Sequence, residues 1–129
     1  MPEKFTVEII SPDRSMLKIE ATEVTIPSFE GEIGILKDHI PLITFLRPGL
    51  IKIFNGIEKT LFVEEGTVEF SNNVLLILTS TAKILSEIDA KFINNLINDT
   101  ERKIKTGTLT DKENYILAYK LEVLKTINQ

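Results

Sequence analysis

Near residue 85 the hydrophobic period of this chain changes, so its two parts cannot share one kind of secondary structure. Before that point apolar side chains alternate. Phe5, Val7 and Ile9 fall on one side of an extended segment, with Thr6 and Glu8 on the other. Further strand-like runs occur at Met16–Glu20, Glu23–Ile26, Ile33–Leu36, Pro41–Leu46, Leu50–Phe54, Glu58–Val63, Thr67–Phe70 and Val74–Thr79. Ser11-Pro12-Asp13 and Ser71-Asn72-Asn73 read as turns between them. Arg47-Pro48-Gly49 reads as a turn in which Pro sets φ and Gly can take a positive φ. Asn55-Gly56 predicts a two-residue type I′ hairpin, whose central residues both need φ > 0. Short strands separated by such turns predict an antiparallel β-sandwich or barrel over residues 1–85.

From Ile88 the spacing becomes helical, through Phe92, Ile93, Leu96, Ile97 and Ile104. Ser86 is the expected N-cap, and Lys103, Lys105 and Gly107 mark the end of the helix. Thr110-Asp111-Lys112-Glu113 has capping-box spacing and opens a second helix that carries Tyr115, Ile116, Tyr119, Val123, Leu124 and Ile127. Residues 86–129 are therefore expected to form an antiparallel two-helix hairpin. Such a pair is near the lower limit for independent folding without a staple, and its second helix is apolar around much of its circumference. It must dock on the sandwich or on a partner, and an element with two such surfaces is suited to switching.

Composition narrows the function. Residues 1–85 carry eight basic and twelve acidic side chains and residues 86–129 seven of each, the wrong balance for a phosphate-backbone binder. There is no cysteine, which removes disulfides, thiolate metal sites and cysteine nucleophiles. No apolar stretch reaches signal-peptide or membrane-span length, so the expectation is a soluble chain facing the cytoplasm.

Candidate chemistry is sparse. His39 is the only histidine, and no Gly-x-Ser-x-Gly nucleophile elbow accompanies it. Glu30 with Glu32, and Glu64 with Glu65, are the closest carboxylate pairs, without calcium-loop spacing. Lys105-Thr106 lacks the glycines of a phosphate loop, and Gly31-x-x-Gly34 lacks the third glycine of a dinucleotide site. The residues point to an interaction module with no catalytic, cofactor or metal site of its own.

One stretch is more specific. Glu30-Gly31-Glu32-Ile33-Gly34, then His39-Ile40-Pro41-Leu42, then Arg47-Pro48-Gly49, resembles the epsilon subunit family of the rotary ATP synthase. The likeness continues through Glu3–Pro12, Phe62–Phe70, Asn73–Ala82 and the helical tail. It implies a β-sandwich with a C-terminal helical hairpin, acting as a non-catalytic rotor subunit. It also implies binding to the gamma subunit and the c-ring at the cytoplasmic face of a bacterial inner membrane. Through the resemblance, Glu32, His39, Pro41 and Thr44 are candidate contacts to the c-ring or gamma subunit. Lys112, Lys120 and Lys125 are candidate contacts to the alpha/beta catalytic head, through which the hairpin would restrain ATP hydrolysis.

Two departures from the family pattern carry consequences. Asp38 stands before His39 where the family has glycine, which implies a different loop backbone. Ile88-Asp89-Ala90-Lys91-Phe92-Ile93 stands where some bacterial members carry a nucleotide-sensing motif Ile/Leu-Asp-x-x-Arg-Ala, and Phe92 replaces its arginine, the group that would pair with phosphate. A nucleotide sensor whose hairpin closes over ATP is the alternative expectation, and that replacement weakens it.

Overall fold

Alternating apolar residues become strands because one side of each can be buried while the other stays wet. A computed structural model describes residues 3–127. Ten strands form in chain order: β1 (Phe5–Ser11), β2 (Arg14–Ala21), β3 (Glu23–Ser28), β4 (Gly31–Leu36) and β5 (Leu42–Leu46). They continue as β6 (Gly49–Phe54), β7 (Glu58–Val63), β8 (Gly66–Ser71), β9 (Val74–Leu78) and a short β10 (Lys83–Ile84). A 3₁₀ turn, Leu85–Glu87, leads into α1 (Ala90–Lys105) and α2 (Asp111–Ile127).

The strands follow the order β10-β7-β6-β3-β5-β8-β9-β1-β2, with β4 paired to β3. This path folds on itself where β3 meets β5 through the single pair Ser28–Leu46. Val7 and Ile9 of β1, Ile51 and Ile53 of β6, and Leu75 and Ile77 of β9 then share one core. Each such side chain contributes roughly 1.5–3 kcal/mol by leaving water.

The expected sandwich and helical hairpin are present, with corrections in detail. Among the described residues one strand pair, β1 with β9, is parallel, which the long connection between the two strands permits. Asn55-Gly56 does not make a type I′ turn. Phe54 pairs with Glu58 across a three-residue loop in which Gly56 alone takes positive φ, at 75°. The two-residue turn with both residues at positive φ is Asn72-Asn73, at 52° and 60°, between the paired Ser71 and Val74. Asparagine visits this region more readily than most residues, which is why the turn needs no glycine. Gly49 is required for closeness instead of positive φ: a Cβ there would lie 2.6 Å from Cβ of Pro27.

Ser86 does not cap α1; it lies inside the 3₁₀ turn, and the chain is extended again at Ile88 and Asp89. Asp89 takes the cap, its Oδ1 accepting the Phe92 N–H at 2.8 Å. The capping box of α2 forms as expected. Thr110 Oγ1 accepts the Glu113 N–H, and Glu113 Oε1 accepts the Thr110 N–H, both at 3.1 Å. The Thr110 backbone N–H, and after it the Thr110 hydroxyl, hold the Glu113 carboxyl below the usual glutamate range.

Candidate functional site

Three surfaces follow from this frame: a loop at one end of the sandwich, an outer sheet face, and the seam under the hairpin. The loop, residues 37–41, connects β4 to β5. Asp38 has φ 68°, in the region that favours glycine. Asn73 holds it there: its Oδ1 accepts the Asp38 N–H at 2.7 Å, and its Nδ2 donates to Asp38 Oδ1 at 2.9 Å. Aspartate thus stands in a left-handed conformation, fixed by a side chain from the Asn72-Asn73 turn. His39 follows, half-buried, its Nδ1 2.7 Å from the Ile40 carbonyl oxygen and its ring edge-on to Phe70 at 5.9 Å.

Pro41 is exposed on the same loop, beside Ile40. Glu32 is exposed on β4, paired opposite Pro27, so it projects from a strand instead of a loop. The preceding turn is tied by Ser28 Oγ, which donates to the Gly31 carbonyl at 2.7 Å and accepts the Glu30 N–H at 3.1 Å. Thr44 does not reach an outer surface. It is 6% exposed on β5, between Ile43 and Phe45, which point the other way.

Those two neighbours are what the sequence reading missed. Ile43 is 76% exposed and Phe45 59%, and across the sheet Phe45, Thr67 and Leu78 lie in one register row. Alternation on β5 was the available signal, because an apolar residue on both faces of a strand means both faces are to be covered. A cleft of about 890 Å³ adjoins this face; its walls include Ile10, Phe45, Leu78, Glu64, Lys112 and Ile116.

The seam is apolar at its centre. Phe62 of β7 turns away from the sandwich core and is buried with Ile93 of α1 and Leu124 of α2; Leu50 and Val123 pack against them. Its margin is polar. Lys120 is buried and forms an ion pair with Glu64. The Arg47 guanidinium lies over the Tyr119 ring, and Lys83 Nζ lies 5.1 Å from the centre of the Phe92 ring. The position read as lacking a phosphate-binding arginine therefore carries an aromatic that receives a cation from the sheet. Lys112 and Lys125 are exposed, Lys125 4.0 Å from Glu101 on α1, so the three lysines do not form one basic face here. Lys120 was legible in principle: it interrupts the stripe of Ile116, Leu124 and Ile127, and a lysine in an apolar stripe needs a carboxylate opposite.

Among the described residues no group of three or more His, Cys, Asp or Glu gathers for a metal, and no helix is long and apolar enough to cross a membrane.

Residues 4–84 match the family described as ATP synthase, Delta/Epsilon chain, beta-sandwich domain. The chain is 47% identical over 130 residues to the ATP synthase epsilon chain of Pelagibacter ubique (strain HTCC1062), covering 99% of this chain and 100% of that one. It is 35% identical over 108 residues to the epsilon chain of Dichelobacter nodosus (strain VCS1703A), covering 82% and 76%. Its fold matches a chain in the mitochondrial ATP synthase of Euglena gracilis, solved as OSCP/F1/c-ring, with TM-score 0.75, 22% identity and coverage of 97% and 79%. A chain in the central stalk/c-ring structure of the Tetrahymena thermophila mitochondrial ATP synthase matches with TM-score 0.68, 15% identity and coverage of 98% of each. With the sheet matched throughout and a relative similar along its full length, the chain belongs to the epsilon family of ATP synthase subunits.

Proposed function

We propose that this chain is a non-catalytic rotor subunit of a proton-translocating ATP synthase, joining a gamma-type subunit to the c-ring and turning with both. The observation that carries this reading is the outer face bearing Ile43, Phe45 and Leu78. The solvent face of an isolated antiparallel sheet is ordinarily polar, and exposed apolar side chains grouped on one face mark a protein interface. The gamma-type subunit is assigned to this face. The loop end, with Glu32, His39 and Pro41, is assigned to the ring, where a fixed loop can offer a carboxylate and an imidazole to polar ring loops. Thr44 serves from beneath, by setting the strand that carries Ile43 and Phe45.

The hairpin is read as the regulatory part. Lys112 and Lys125 are available to an acidic surface of the catalytic head as they stand; Lys120 becomes so only when α2 leaves the sheet. The subunit sits peripherally, at the cytoplasmic face of a bacterial inner membrane, through the complex. Purification from native membranes tests the rotor reading: the chain is expected to bring gamma-type and head subunits with it, and Glu32→Lys to weaken coupling of proton flow to ATP synthesis. A chain that does not bind a gamma-type subunit at micromolar concentration overturns it. Deleting residues 86–129 tests the regulatory part separately; unchanged ATP hydrolysis by the assembled enzyme removes the brake and leaves the rotor.

A further inference from the structure

The Glu64–Lys120 ion pair is, among the described residues, the only one joining a helix to the sheet. Its two ends differ. The Lys120 side chain is 10% exposed and that of Glu64 31%. Lys120 shares its side of α2 with Leu124, which is buried against the sheet, so most of its side chain is withdrawn from water while the helix stays docked. Glu64 lies at the margin, in the β7–β8 turn. That turn is held by hydroxyls: Thr81 Oγ1 accepts the N–H of Glu64 at 3.0 Å, and Thr79 Oγ1 donates to the Glu65 carbonyl at 2.6 Å. Glu64 also forms part of the wall of the cleft beside the outer face.

We propose that Glu64 and Lys120 form a releasable catch, worked from the Glu64 side, that sets how firmly the hairpin stays on the sandwich. Docking requires a lysine to be withdrawn from water, and one carboxylate compensates it. Taking that carboxylate away leaves a buried cation unpaired, which is strongly unfavourable, and undocking is the way to rehydrate it. Taking the lysine away is milder, because Glu64 already reaches solvent. A group in the cleft that draws on Glu64 therefore competes with the hairpin for the same oxygens. This inference rests on reading the hairpin as a movable element.

The test uses the full-length isolated chain and amide hydrogen exchange, with the β-strands as internal reference. In Glu64→Met, α2 amides are expected to exchange at least tenfold faster than in the parent while β-strand protection is unchanged. Glu64→Gln is expected to loosen the helix in the same sense, and serves if Glu64→Met does not fold. Lys120→Met is expected to change α2 exchange less than threefold. The double variant Glu64→Met/Lys120→Met removes both charges and is expected to restore parental protection or exceed it. The catch is overturned if the Glu64 variants leave α2 protected, if the strands loosen together with it, if Lys120→Met loosens it as much, or if the double variant stays loose. No stalk component enters the measurement, so its failure and failure of the rotor reading are separate results.

Discussion

The Arg47 guanidinium carbon lies 4.1 Å from the centre of the Tyr119 ring, across the seam between sheet and hairpin. Arg47 Nε is buried and has no hydrogen-bond partner among the described residues, so the ring contact is not duplicated by a hydrogen bond at that atom. The Arg-Pro-Gly turn is thus also a docking point for α2, in addition to its service between β5 and β6.

Tyr119→Leu tests that contact. The substitution keeps an apolar side chain and removes the electron-rich face. Partly desolvated cation–π pairs are worth about 1–2 kcal/mol. The expected result is a hairpin that opens more readily by that amount, read as faster amide exchange in α2, with the strands unaffected.

The Asp38–Asn73 pair gives a second prediction. Asn73 sits at φ 60°, so Asn73→Ala would add backbone strain to the loss of hydrogen bonds. Asn73→Gly removes the side chain alone. Two exposed hydrogen bonds are lost, for a cost of about 1 kcal/mol. Denaturant unfolding measures it, and the amide proton of Asp38 should lose its protection first.

Much of the fold was readable because local chemistry decides it. The Thr110–Glu113 box needs only its own four residues, and strand alternation needs only burial on one side. Misreadings arose where a distant segment decides. Asn55-Gly56 carries the stronger type I′ signal, yet the register of β6 on β7 places three residues in that loop. Ser86 is a good cap by type, but β10 pairs with β7 and draws the chain past it to Asp89. The loop candidates Glu32, His39 and Pro41 were visible through family likeness. The Lys120 partner was not, since Glu64 is far away in sequence and meets it only once the hairpin docks.

Glu113 supplies a pH prediction. Its folded carboxyl is depressed by the Thr110 amide and hydroxyl bonds, so the carboxylate's contribution to α2 is fully present above the ordinary glutamate value. That contribution fades as pH falls through the lower folded value. An NMR titration should show Glu113 titrating below ordinary glutamates, with the first turn of α2 fraying over the same acidic interval. Thr110→Ala should return Glu113 toward the ordinary value. If Glu113 titrates normally in the intact chain, the box does not persist in solution.

The outer face makes a prediction that separates stability from binding. Ile43 and Phe45 are exposed on β5, so Ile43→Thr and Phe45→Thr remove little buried area and leave a β-branched residue at each position of the strand. Surface changes of this kind shift folding stability by about 0.5 kcal/mol or less. Binding should respond differently, because a large apolar side chain that becomes buried at an interface contributes about 1.5–3 kcal/mol. The double variant is therefore expected to melt like the parent and to bind a gamma-type subunit at least tenfold more weakly. Thr44→Val is the control on the same strand: its side chain faces inward, so binding should remain parental. Calorimetric titration and thermal unfolding of the double variant and of Thr44→Val give both quantities. Parental binding by the double variant would mean that the gamma-type partner sits elsewhere, and loss of binding in Thr44→Val alone would place the determinant inside the sandwich.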